Sequence, residues 1–160
     1  MISFKVIALA EHPHHWQTAA EWSFEAWKHD FPSDTVQTYL DQYALAASEP
    51  EELLEVFAAT DSHGNLLGVA TLVDDDELPD APEPGPWLAA VFVTPSAREF
   101  GVGSALVEHV VNRARELGYP KIYLYTEHQE LWYASKGWTK IRDIVFLGLH
   151  HTVMQLELVV

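Results

Sequence analysis

The chain has 160 residues, no cysteine and a formal net charge of −15. The missing cysteine excludes disulfides, Cys-ligated zinc, iron–sulfur clusters and a cysteine-linked intermediate, and the charge makes a poor partner for nucleic-acid backbone or anionic membrane. With 48% hydrophobic and 21% charged residues, one folded domain over 1–160 is expected. Met1-Ile2-Ser3-Phe4-Lys5 lacks the basic-then-apolar pattern of a secretory signal. No apolar run approaches the roughly 18 residues of a membrane span. A soluble cytoplasmic protein, monomer or homodimer, is expected.

The charge is unevenly placed. Residues 1–97 hold 17 acidic side chains against Lys5 and Lys28, whereas residues 98–160 hold seven of each sign. This reads either as solubility and habitat or as a first part that meets a cation and a second part that holds an anion.

In chain order, Ser3–Leu9 alternates as a strand. Trp16, Ala19, Ala20, Ser23, Phe24 and Trp27 share one helical face. Trp22 lies off that stripe between Glu21 and Glu25; it is either a Trp buried against a loop or, with Glu25, an aromatic and acidic patch for an amine. After Phe31-Pro32, Ser33 or Asp34 is the expected cap of a second helix with Val36, Tyr39, Leu40, Tyr43, Ala44 and Ala47 on its face. Leu53–Thr60 and Leu66–Val73 predict a hairpin, with a bulge at Gly68.

The segment Asp74–Pro86 holds six acidic residues and four prolines. It reads as a stiff connection or as a wall of a substrate entrance. Nothing fixes its aspartates around a metal, and none is expected. Trp87–Thr94 is a strand buried on both faces. Leu106, Val107, Val110, Val111, Ala114 and Leu117 mark an amphipathic helix that Gly118 ends. Lys121–Thr126 is a strand and Glu130–Ser135 a short helix; Trp138–Leu147 and Thr152–Val159 are closing antiparallel strands. The order β-α-α-β-β-β-α-β-α-β-β predicts an α/β domain with a mixed sheet. His12, His14 and His15 read as a solvated turn, and His150-His151 as a solvated hairpin tip.

The stretch with chemical content is Arg98-Glu99-Phe100-Gly101-Val102-Gly103-Ser104, between an apolar strand and an amphipathic helix. The first amides of a helix lack intrahelical partners, and its dipole is positive there. Glycine lets backbone approach phosphate oxygens, and Arg98 adds a fixed cation. A phosphate or pyrophosphate is the natural ligand. A P-loop is excluded because no Gly-Lys-Ser/Thr follows. A Rossmann loop wants a third glycine where Leu106 stands.

Arg98-x-x-Gly101-x-Gly103 in this setting resembles the acetyl-CoA signature of the GNAT superfamily of N-acetyltransferases. Trp87-Leu88-Ala89, Tyr123-Leu124-Tyr125-Thr126, Gln129-Glu130-x-x-Tyr133-x-x-x-Gly137-Trp138 and Thr152-Val153-Met154 extend the match. The chain is similar to a bacterial branch that also resembles actin N-terminal acetyltransferases. The resemblance implies a GNAT-like fold with an acceptor-side half at 1–86 and an acetyl-CoA half at 87–160. It implies that backbone groups of Phe92 and Val93 pair with the pantetheine arm, and that amides from Phe100, Gly101, Val102, Gly103 and Ser104, with Arg98, hold the pyrophosphate. It places Tyr133 where the family has its general acid. Many relatives carry glycine and a basic residue where this chain has Glu99 and Phe100.

Acetyl transfer needs a neutral amine, a home for the developing oxyanion and a proton for the departing thiolate. Without cysteine, direct attack within a ternary complex is the expected route, with a backbone N–H where the fourth strand parts from its neighbour serving the oxyanion. The fourth strand has no carboxylate; Glu127, His128, or Tyr125 with a water are the candidate bases. The charge distribution suggests a cationic acceptor, whereas the actin-like resemblance implies acidic N-termini. An acyl-CoA-binding module without turnover and a small dinucleotide-binding protein are the competing readings.

Overall fold

The computed structural model describes residues 3–158. The elements are β1 (Phe4–Ala8), α1 (Trp16–Trp27), α2 (Val36–Ala47), β2 (Leu54–Asp61), β3 (Leu66–Val73), β4 (Trp87–Val93), α3 (Val102–Glu116), β5 (Lys121–Thr126), α4 (Glu130–Ala134), β6 (Thr139–Phe146) and β7 (Leu149–Glu157), with short 3-10 turns after β1 and β4. Their order is the one the periodicities predict. One seven-stranded sheet runs β1-β2-β3-β4-β5-β7-β6. Only β4 and β5 are parallel neighbours, and their pairing is confined to Trp87 against Tyr123.

Strand alternation divides the core into two layers. Leu54, Val56 and Ala58 of β2 meet Ala19, Ala20, Tyr39 and Tyr43 of α1 and α2. Phe57 and Ala59 face the other way, toward Leu106, Val107, Val110 and Ala114 of α3. Leu106 and Val110 are fully buried, each worth about 1.5–3 kcal/mol over exposure. Helix α3 stops in a Schellman motif. The Gly118 amide donates to the Arg115 carbonyl (2.9 Å), and the Tyr119 amide to that of Ala114 (3.2 Å). Arg113 ties α3 to β2 through both oxygens of Glu55 (2.7 and 3.2 Å).

Some local expectations shift. The cap of α2 is Thr35, not Ser33 or Asp34, because Thr35 and Thr38 bond each other's backbone amides. Ala46, rather than the exposed Ala47, completes the inner face of α2. The irregularity in the hairpin skips Leu67, next to Gly68: Ala59 faces Gly68 but Thr60 faces Leu66. Glycine is required there because a Cβ at Gly68 would lie 2.7 Å from the Phe92 carbonyl oxygen. The closing hairpin turns at Leu147-Gly148, so β7 starts three residues earlier than Thr152. The predicted strand end at Val159 lies outside the described residues. His150 and His151 therefore belong to a strand, not a solvated tip. Alternation sends His150 outward to Asp143 (2.9 Å) and buries His151 at 2% exposure.

Candidate functional site

Strand β4 is bent where it leaves β5. Between Val69 and Thr71 of β3, the partner moves from Phe92 to Ala89, so β4 carries one extra residue. Ala90 sits there at φ 53°. A non-glycine residue in this region costs about 1–3 kcal/mol, and such strain concentrates at functional sites. The bulge and the short β4–β5 pairing open the sheet into a cleft of about 1030 Å³, lined on β4 by Leu88 to Val91.

One side of the opening leads to the start of α3. Gly101 caps the helix at φ 82°, a left-handed conformation that glycine adopts without steric cost. The first intrahelical bond runs from the Ala105 amide to the Gly101 carbonyl (3.0 Å), so the amides of Val102, Gly103 and Ser104 have no partner within the helix. Arg98 Nε donates to the Val93 carbonyl (2.9 Å), with its guanidinium over the Phe92 ring. A second cation stands here that the sequence reading overlooked. Lys136, just after α4, donates to Ser104 Oγ (2.6 Å) and lies 4.6 Å from the centre of the Trp132 ring. It is 32 residues from Ser104 in sequence, and only the packing of α4 against α3 brings it near. Phe100 is exposed and Glu99 adopts φ 73°.

The main chain of β4 is divided between two neighbours. The Thr94 amide donates to the Leu67 carbonyl of β3 (2.9 Å), and the Phe92 carbonyl also points at β3, toward Gly68. By alternation Val91 and Val93 turn their polar groups to the open edge. The Phe92 side chain packs on Trp22 (5.7 Å) and Trp27 (6.5 Å) of α1. That contact occupies Trp22, and Glu25 forms an exposed pair with Lys28 (2.7 Å). Neither Trp22 nor Glu25 lines the cleft; Trp27 and Asp30, further along the same chain segment, do.

Tyr133 is brought to the cleft by α4. The Gln129 amide, at the helix N-terminus, donates to Thr126 Oγ1 (3.1 Å) and the Tyr133 amide to the Gln129 carbonyl (3.0 Å). Its ring lies between Trp132 (4.9 Å) and Trp138 (5.8 Å). Burial pushes the phenol well above its ordinary pKa, so it is held protonated.

The other side of the opening is acidic. Ten of the residues lining the cleft are Asp or Glu and none is Lys or Arg. The segment Asp74–Pro86 supplies four of them, Asp74 to Glu77, and so forms a wall. It is anchored by buried Leu78 against Trp87, Tyr123 and Val153, by Glu83 paired with Arg142 (2.8 and 3.0 Å), and by the Tyr125 hydroxyl donating to the Asp76 carbonyl (3.0 Å). Burial, then Glu77 and Asp75, push the Asp76 carboxyl well above its usual range. Glu127 lines the cleft with its carboxylate mostly covered; His128 beside it, 3.6 Å away, is largely exposed. Asp30, Glu127 and His151 bring polar atoms within 4.8 Å of one another. The inward placement of His151 escaped the sequence reading, although extending the Thr152-Val153-Met154 strand by three residues would have turned it inward.

The family profile described as "Acetyltransferase (GNAT) family" matches residues 6–132, and the chain belongs to that family. A mycothiol acetyltransferase from Sanguibacter keddieii is 33% identical over 117 residues, 69% of this chain and 37% of that protein. An amino-acid acetyltransferase from Neisseria meningitidis is 28% identical over 102 residues, 61% of this chain and 22% of that protein. The chain thus spans about a fifth to two fifths of the length of these relatives. The fold is shared with spermidine N-acetyltransferase from Vibrio cholerae, solved in complex with CoA and spermine. The TM-score is 0.74 at 14% identity, covering 97% of this chain and 95% of that one. Among the described residues no helix is long and apolar enough to cross a membrane.

Proposed function

We propose that the protein transfers an acetyl group from acetyl-CoA to a cationic primary amine of the polyamine kind, by direct attack within a ternary complex. The observation that carries this reading is an opening between β4 and β5 whose acceptor side has ten carboxylates and no lysine or arginine. Such a surface concentrates cations and repels acidic peptides. It therefore favours the charge argument over the resemblance to actin acetyltransferases. One relative is an amino-acid acetyltransferase, and the spermidine N-acetyltransferase that shares the fold was solved with spermine, both names pointing to compounds with amino groups.

The chain fits acetyl-CoA at three places. Amides from Gly101 to Ser104, with Arg98 and Lys136, suit the pyrophosphate. Lys136 supplies the cation that Glu99-Phe100 does not. The edge at Val91, with the Val93 amide, suits an extended amide-bearing arm, which would add to β4 as a strand adds to a sheet; the Val93 carbonyl is held by Arg98. At the bulge, backbone N–H beside Ala90 suits a developing oxyanion. Tyr133, kept as a phenol by burial, gives its proton to the departing sulfur. Glu127 and the Asp74–Glu77 wall seat the ammonium, while His128 stays at the rim.

The test is thiol release from acetyl-CoA in the presence of spermidine, a neutral-side-chain amino acid and an acidic peptide. The chain has no thiol of its own, so the readout carries no protein background. Spermidine-dependent release well above the other two supports the reading. Faster release with the acidic peptide overturns the cationic acceptor, and no release with any amine, together with a CoA-induced rise in Tm, leaves an acyl-CoA-binding module.

A further inference from the structure

We infer that His151 is the group that takes the proton from the acceptor's ammonium, with Asp30 and Glu127 steadying the resulting imidazolium. The inference rests on the acetyl-transfer reading above and supplies the base that β4 lacks.

Three separated parts of the chain converge to build this site: β7, the segment after α1 and the segment after β5. Nδ1 of His151 lies 3.0 Å from the Leu149 carbonyl. A carbonyl only accepts, so Nδ1 carries the hydrogen and the tautomer is fixed. In the neutral ring the lone pair is then on Nε2, which faces Asp30 Oδ2 at 3.4 Å; one ring nitrogen, Asp30 and a Glu127 carboxylate oxygen lie within 4.8 Å of one another. A lone pair set against two carboxylates is repelled by them. A proton on the same nitrogen turns both contacts into charge-assisted attractions. In its neutral form the ring offers Nε2 to a proton from the substrate, and the carboxylates steady the imidazolium that results.

The ring is also held in place. It is 2% exposed and packs edge-on to Tyr125 (5.5 Å), with Phe146 at 5.8 Å. The ionisable groups that face it are Asp30 from the segment after α1, Glu127 from the segment after β5, and the Tyr125 phenol from β5. Beyond that phenol lie Asp76 and Glu77 of the β3–β4 wall. No lysine or arginine lines this cleft. His151 and Tyr133 line the same cleft as Ala90 and Val91 of the β4 bulge, which sets a proton acceptor and a proton donor around one opening.

The protons balance. The ammonium gives one proton to Nε2, and the freed nitrogen lone pair bonds to the thioester carbonyl carbon. The carbon–sulfur bond breaks, and the electron pair leaves on sulfur, which takes the Tyr133 proton. The second proton shed by nitrogen as the amide forms restores Tyr133. The proton on His151 leaves to solvent past Asp30, whose side chain is 15% exposed.

The experiment compares wild type with His151→Gln, His151→Ala and Asp30→Asn, using spermidine and acetyl-CoA across pH 6 to 10. In His151→Gln, kcat is expected to fall about 100-fold at neutral pH, with the CoA-induced rise in Tm intact. Its rate should then climb about tenfold per pH unit as free amine accumulates, closing the gap to wild type at high pH. Imidazole in the buffer should restore a measurable part of the rate to His151→Ala and none to His151→Gln, a rescue that a packing role does not give. Asp30→Asn, at a more accessible position, should lower the rate about tenfold and covers the case in which the His151 variants misfold. A wild-type rate and profile in folded His151→Gln, or in Asp30→Asn if the His151 variants do not fold, overturns the inference and leaves acetyl transfer standing. A rate abolished by chelator and restored by zinc also overturns it, making the trio a metal centre. Absence of amine-dependent release by wild type overturns both.

Discussion

At the start of α3, the unpartnered amides of Val102, Gly103 and Ser104 gather with Arg98 and Lys136. In the cleft lined by the β4 bulge, ten carboxylates gather with no lysine or arginine among the lining residues. Elsewhere two buried or half-buried ion pairs join separate elements. Glu55 holds Arg113 and Glu83 holds Arg142, each through two hydrogen bonds. These paired carboxylates fasten elements together. The cleft carboxylates at Asp74 and Asp75 have no Lys or Arg partner among the described salt bridges, so their mutual repulsion is a cost to the folded state. On the proposed reading, each region leaves its counter-charge to a ligand: an anion on one side, a cation on the other.

The largest expected effect comes from removing the phenol that lines the cleft between the two regions. Tyr133→Phe should lower kcat about 100-fold or more while leaving the CoA-induced rise in Tm in place. An unchanged kcat would make Tyr133 a packing residue between Trp132 and Trp138. Next in size is the anion side. Lys136→Ala should weaken CoA binding about tenfold in calorimetry, about 1.4 kcal/mol, and reduce the salt dependence of Kd. An unaltered Kd would remove Lys136 from the phosphate contacts.

The cation side should respond more gently, because many carboxylates share the work. Replacing Asp74 and Asp75 together by Asn should raise KM for spermidine about fivefold at low salt, fading as salt rises, with KM for acetyl-CoA unmoved. If KM for both substrates moved alike, the two regions would not be separate.

A smaller effect lies in stability. The Asp76 carboxyl has its folded pKa raised by burial and by Glu77 and Asp75. The folded state therefore keeps this proton to higher pH than the unfolded chain does. The group's contribution to stability declines as pH rises from its unfolded pKa to its folded one. Lowering pH from neutral should thus raise the Tm of wild type relative to Asp76→Asn, which lacks the titration; parallel Tm curves would sink this account. The smallest expected effect is Glu25→Gln, at an exposed pair with Lys28, which should leave kcat and Tm within error. A large loss of activity there would return α1's outer face to the acceptor site.

Parts of this molecule are legible in the sequence because they depend on neighbours in the chain. The stripe from Trp16 to Trp27, the apolar run of β4, the glycines that open α3 and the Gly118 stop are periodic or local signals. Each element lies where those signals put it. The short helix ended by Gly137 is legible in the same way, while the place of Tyr133 in it is what the family resemblance implies. The Thr35 cap was missed because Ser33 and Asp34 are equally good cap residues; only the reciprocal bonds with Thr38 choose between them. Trp22 and Glu25 drew attention as a polar face of a helix near the start. Which face of that helix meets the cleft depends on how Phe92 packs against it.

By itself, the sequence determined the element order, the glycine turn that opens α3, the family resemblance and the excess of acid in its first 97 residues. Those follow from side-chain period, backbone freedom and charge, all of which act over a few positions. The tertiary structure alone decided that the acid converges on one cleft, that Lys136 reaches Ser104 across 32 residues, and that His151 meets Asp30 across 121. Such contacts arise from the register of β5, β6 and β7 and from the opening between β4 and β5. A strand's alternation settles which way a residue faces only once its register is known, and register is fixed by packing across the whole sheet.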